Sequence, residues 1–187
     1  MKNVVKTPIF IVSYPSLHEP KLNKFNNKLE YSVVALFPKD ADLKPLEAAI
    51  EACKVAKWGA DKAKWPKKMA DGPLRDQGEK EKEVDGKMVM PQGHVKGAKF
   101  MTLKNTKPVA VVGYDPKTPL PAEDCYPGMK AHAFIELYAY DSPVNKGVTA
   151  YLMGVQKVGD GESLTGRMKA EDLFSPIVES AAEDMFK

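Results

Sequence analysis

The sequence predicts a mainly β protein with helices, on three observations. Lys28 to Phe37 and Met129 to Tyr140 alternate apolar and polar residues with the period of a half-buried strand, and Val148 to Val158 follows the second as its natural hairpin partner. Gly154 inside that last strand marks a bulge or bend of the kind that curls a sheet toward a barrel. At 187 residues, with 43% hydrophobic and 28% charged residues, the chain has the length of about one domain and enough apolar side chains to fill a core.

In chain order, Thr7 to Tyr14 (TPIFIVSY) reads as a first strand. Pro15 to Asn27, with two prolines and three asparagines, reads as turns. Lys28 to Phe37 places Leu29, Tyr31, Val33, Ala35 and Phe37 on one face. A helix follows, with Asp42 as N-cap, Pro45 in the first turn, Leu46, Ala49, Ile50 and Cys53 at helical spacing, and Gly59 as its stop. Trp58, at the end of this helix, reads as its anchor to the core.

From Ala60 to Gly97 periodicity fails, and lysine, proline and glycine predominate. A stretch this long without a pattern is a functional loop or a disordered one, and it is read here as a mobile basic arm. Lys99 to Lys104 and Pro108 to Val112 are short strands, and Asp115 to Gly128, with four prolines, is a loop. The strand Met129 to Tyr140 sorts two chemistries. Met129, Ala131, Ala133, Ile135, Leu137 and Ala139 face a core, whereas Lys130, His132, Phe134, Glu136, Tyr138 and Tyr140 face the other way. The expected organisation is a domain over residues 1–160, with the insertion at about 60–97, and an acidic tail with short helices over 161–187.

Charge is spread unevenly. Between Lys54 and Lys107, thirteen lysines and one arginine stand against seven acids, whereas from Asp160 to Lys187 seven acids face three bases. A basic middle attracts polyanions, and an acidic end competes for that patch or recruits basic partners. No apolar run is long enough to span a bilayer and the N-terminus has no secretion signal, so neither membrane insertion nor export is expected. Cys53 and Cys125 form no CxxC pair, which fits a reducing cytoplasm.

The motifs of phosphate loops, dinucleotide folds, zinc proteases and serine hydrolases are absent, and His18, His94 and His132 have no neighbour at metal-ligand spacing. No catalytic residue, metal or cofactor is therefore expected. What stands out is bases beside aromatics, the combination that single-stranded nucleic acid requires: rings to stack exposed bases and cations for phosphates. Three clusters have it: Lys130, His132, Phe134, Tyr138 and Tyr140 on one strand face; Lys99, Phe100 and Lys104; and the run Lys57, Trp58, Lys64, Trp65, Lys67 and Lys68 leading into the arm. Each ring has a plainer reading as packing, and Trp65, among breakers, reads as the more exposed tryptophan.

The hairpin motif with NKG at Asn145 to Gly147 and VQKV at Val155 to Val158, together with PLRDQGEK from Pro73, resembles a family of phage single-stranded DNA-binding proteins with an OB-type fold. The resemblance spans nearly the whole chain. It implies a barrel of about five strands that coats and protects single-stranded DNA without sequence preference, in phage replication or recombination, in the host bacterial cytoplasm. It also implies that the acidic ending, with Glu183, Asp184 and Phe186, contacts replication or recombination proteins. Self-association stays open, as do two other readings: a metal-dependent DNA nuclease or resolvase, and a structural adaptor that binds no DNA.

Overall fold

The computed structural model describes residues 3–165, so the acidic tail from 166 onward, with Glu183, Asp184, Phe186 and the expected tail helices, lies outside the described residues. Ten strands and one α-helix are present among them: β1 (Val4–Lys6), β2 (Phe10–Asn23), β3 (Lys28–Leu36), α1 (Lys44–Trp58), β4 (Arg75–Asp76), β5 (Lys82–Val84), β6 (Lys87–Val89), β7 (Lys99–Asn105), β8 (Ala110–Val112), β9 (Lys130–Asp141) and β10 (Lys146–Gly159). The main sheet runs β1-β9-β2-β3-β7-β10-β8, and β9 also pairs with β10.

That extra pairing closes a hydrogen-bonded ring of five strands, β9-β2-β3-β7-β10. The ring is uneven, not a regular barrel. β9 and β10 share a long antiparallel ladder, whereas β7 meets β10 in parallel only at Tyr151 and Lys104, and β2 meets β9 only at Phe10–Ala131 and Ile11–Lys130. Gly154 carries the expected bulge, since the β9–β10 register shifts between Leu152 and Gly154.

The inner face is the aliphatic set read from β9: Met129, Ala131, Ala133, Ile135, Leu137 and Ala139 are all buried, with Val33 and Ala35 of β3, Leu103 of β7 and Leu152 of β10. Leu46, Ile50 and Cys53 of α1 join this core, and burying each large aliphatic stabilises the fold by roughly 1.5–3 kcal/mol. Pro45 lies in the first turn of α1, and Gly59 ends it at φ +85°, its N–H bonded to the Val55 carbonyl. Asp42 is not the cap residue. Leu43 is, and Asp42 instead accepts from the Lys44 N–H at 3.2 Å.

Two segments depart from the sequence reading. Residues 15–23 are strand, not turns: β2 continues through Pro15 and Pro20 by means of register shifts between Ser13 and Ser16 and between Ser16 and Lys21, with Tyr14 at φ +43°. Prolines are tolerated at such irregularities because no ladder donor is needed there. The insertion is not a structureless mobile arm either. It contains β4, a hairpin of β5 and β6, and a 3-10 turn at Gln77–Lys80. Gln77 is buried and pins the insertion to the sheet. Its Nε2 donates to the carbonyls of Phe37 (3.0 Å) and Lys99 (2.8 Å), and its Oε1 accepts from the Val95 N–H (2.7 Å). Side-chain to backbone bonds of this kind leave no periodic trace in a sequence.

Candidate nucleic-acid interface

Neighbouring strands align their outward residues into rows across the sheet. In one row, Lys6 of β1 lies beside Phe134 of β9, then Gly154 of β10 and Ala110 of β8. In the next, Glu136 lies beside Tyr151, then Lys104 of β7. Tyr138 then faces Thr149, and Tyr140 faces Gly147. The strand alternation that buries Ile135 and Leu137 therefore lifts Phe134 and Tyr138 outward, where they are 49% and 52% exposed.

Tyr138 does not stand alone. Its ring lies 6.3 Å from that of Tyr151, inclined at 51°, a spacing typical of interacting aromatic pairs. Tyr151 and Met153 are also exposed, so the outer face of β9 and β10 carries three rings and a thioether over a buried opposite side. Tyr140 is less available, because a Cβ on Gly147 would come within 2.8 Å of its hydroxyl; the ring lies across that glycine. Lys130 is exposed at the far end of the same face, and Lys6 brings a cation beside Phe134. His132 bonds the Gln156 amide at 3.0 Å; burial and the nearby Lys6 charge lower its pKa, the Gln156 bond only partly opposing them, so the ring is neutral at pH 7.

The arm reaches the other end of this face. The Ala70 N–H donates to the Lys146 carbonyl at 2.8 Å, and a groove of about 480 Å³ opens between the arm and the β9–β10 turn, edged by Lys67, Lys68 and Lys146. Lys67 and Lys68 are exposed and have no ion pair among the described residues. Lys64 is paired with Asp61 at 3.5 Å. Trp65 is half-buried, as is Trp58. It packs 6.5 Å from Trp58 and its indole N–H donates to the Gly59 carbonyl. Trp58, partly buried against the core, donates to Asp141 at 3.0 Å, so the two indoles brace the helix end, the arm and the hairpin.

The remaining cluster is not a stacking site. Phe100 is 1% exposed, covered by the insertion, with the Lys80 ammonium 5.0 Å and the Arg75 guanidinium 5.6 Å from its ring centre. Its neighbours are also engaged. Lys99 lies 3.9 Å from Asp76, and Lys104 donates to both oxygens of Glu30 at 3.3 Å, where Asn23 and Asn26 donate as well. Burial raises the Glu30 pKa, but these donors outweigh it and the net shift is downward.

Several face residues escaped the sequence reading. Tyr151 and Met153 lie on β10, whose faces the sequence reading did not sort, and plain alternation with the buried Ala150 and Leu152 turns both outward. Lys6 belongs to a strand of three residues, too short to show a period. Phe25, at the tip of the β2–β3 hairpin, is fully exposed between Lys24 and Lys28. Among the described residues no group of three or more His, Cys, Asp or Glu gathers as a metal site. No helix among them is long and apolar enough to cross a membrane.

The model of a family described as Enterobacter phage Enc34, ssDNA-binding protein, matches residues 2–186. Putative protein p50 of Acyrthosiphon pisum secondary endosymbiont phage 1 is 30% identical over 164 residues, 83% of each chain. Among solved structures, the single-stranded DNA-binding protein of bacteriophage Enc34 in complex with ssDNA is similar with a TM-score of 0.67 at 20% identity, covering 86% of this chain and 89% of that one. The single-stranded DNA-binding protein gp2.5 of bacteriophage T7 is similar with a TM-score of 0.58 at 16% identity, covering 89% and 97%. These structural neighbours make the five-strand ring OB-like.

Proposed function

Because the chain belongs to the phage single-stranded DNA-binding protein family represented by Enterobacter phage Enc34, we propose that it coats single-stranded DNA along the outer face of β9 and β10, without sequence preference, during phage replication or recombination. The observation that carries this reading is the Tyr138–Tyr151 pair with Phe134, exposed on a sheet whose reverse side is core. Such rings gain nothing for the folded chain by facing water. Bases of a single strand stack on them without regard to identity, each contributing roughly 1–3 kcal/mol.

The phosphates run along the flanks of the rings. Lys6 and Lys130 stand at one end and Lys67 and Lys68 at the other, while Glu136, exposed in the middle row beside Tyr151, repels backbone charge from the centre. Holding bases apart on rings removes hairpins and shields the strand from nucleases. The role is one of binding and requires no cofactor.

Equilibrium binding to matched single-stranded DNA, single-stranded RNA and duplex, repeated across a salt series, tests it. The expected result is tight binding to the DNA single strand, weak binding to duplex, and affinity falling steeply with salt. Duplex bound as well as the single strand, or an affinity indifferent to salt, overturns it.

A further inference from the structure

Beside Phe134 the outer face is indented. Gly154, in the same row, has no side chain, and a Cβ there would come within 3.2 Å of the Ala110 carbonyl and 3.6 Å of the Ala110 Cβ. Its absence leaves a recess of about 230 Å³ between the outer edges of β9, β10 and β8, with Phe134 on one side and Pro116, from the loop after β8, also lining it. Drug-sized ligands take clefts of roughly 300–1,000 Å³, so this recess suits a single planar ring system.

The Gln156 side chain at its edge is already engaged within the protein. The Gln156 amide accepts or donates at every contact it has within the protein: His132 at 3.0 Å, the Gly113 carbonyl at 3.1 Å and the Tyr114 carbonyl at 3.0 Å. The remaining lining is apolar, from Ala110, Val112 and Val155. A recess built this way offers surface to a ring and makes no demand on its hydrogen-bonding pattern.

We propose that this recess is a nucleobase slot, in which one base of the bound strand leaves the open face and inserts beside Phe134, flanked by Pro116, while its phosphate lies toward Lys6. The inference rests on the strand following the outer face, and the occupant follows from continuity: Phe134 is at once the last ring of that face and a wall of the slot. Lys6 lies on the opposite side of Phe134 from Gly154, within the same row. The slot fixes where the strand is held most firmly and takes any of the four bases, but not a nucleotide that lacks one.

Ala110→Phe tests this, since Ala110 is exposed and a ring there would fill the recess without removing any group from the open face. Binding of A110F and F134A to a short oligothymidine is compared with wild type across a salt series, with thermal unfolding as a check on the fold. The slot predicts that A110F loses roughly 5- to 100-fold in affinity, one stacked base, with the salt dependence unchanged because no phosphate contact is lost. Unchanged A110F affinity beside a weakened F134A overturns the slot and leaves the open face intact. Unchanged affinity in both overturns the reading on which it rests. Should A110F fail to fold, Pro116→Gly, which removes a wall from a surface loop, must weaken binding at unchanged salt dependence, and equal affinity there overturns the slot.

Discussion

Two regions of this molecule look alike in sequence and have opposite fates. Lys99, Phe100 and Lys104 on β7 and Lys130, Phe134 and Tyr138 on β9 both set aromatics among lysines on a strand. On β7 the ring is sealed and its cations are spent internally, on Asp76, on Glu30 and, for Lys80 and Arg75, on the ring itself. On β9 the rings face outward, with Tyr151 added from the neighbouring strand. The difference lies in what covers each strand. The insertion, pinned by Gln77, folds over β7 and leaves the outer face of β9 and β10 open.

The largest expected effects separate the two regions by what is lost. Phe100→Ala removes a buried ring and costs the fold roughly 3–5 kcal/mol, read as a lower urea midpoint, while the folded fraction keeps its DNA affinity. Replacing Phe134, Tyr138 or Tyr151 by alanine does the reverse. Each weakens binding to oligothymidine by roughly 1–3 kcal/mol in a fluorescence anisotropy titration, with little change in the urea midpoint because the rings are half exposed.

Smaller effects sharpen the electrostatic half of the comparison. The double substitution K67A/K68A removes two phosphate contacts and lowers the slope of log affinity against log salt by about 1.4. Glu136→Gln tightens binding, by the roughly 0.2–1 kcal/mol typical of an exposed charge, and the gain shrinks as salt rises. Glu30, whose pKa is lowered in the fold, contributes stability that is fully present above its unfolded value and lost as pH falls through the lower folded value. Glu30→Gln therefore flattens the acid side of the stability curve, measured by unfolding between pH 6 and pH 2, on the order of the range over which carboxylates titrate.

The central elements were legible because they are governed by period. The β9 alternation identified the inner face residue by residue from Met129 to Ala139, the helix over Leu46 to Cys53 stands on the expected face, and Gly154 marks the bulge. The resemblance carried by the hairpin motif identified the family. What period cannot show is cover. Nothing around Phe100 reveals that an insertion beginning some forty residues earlier in the chain returns to seal it, since the closure is made by the two-residue β4 pairing with β7 and by the side-chain hydrogen bonds of Gln77, neither of which leaves a period in the sequence. The Trp58–Trp65 contact is hidden for the same reason: it is a tertiary contact across the turn at Gly59 and leaves no period. Lys6 was missed because a three-residue strand shows no period, and Tyr151 because the faces of β10 were not sorted, although Val148, Ala150 and Leu152 alternate inward around it.

Hydroxyl-radical footprinting with and without saturating oligothymidine tests the central claim most directly, because it reads the covered surface side chain by side chain. Binding on the outer face predicts that Phe134, Tyr138, Tyr151 and Met153 become protected, while Met88, exposed on the separate β5–β6 hairpin, stays reactive. Full reactivity of the four face residues in the bound complex would contradict the account.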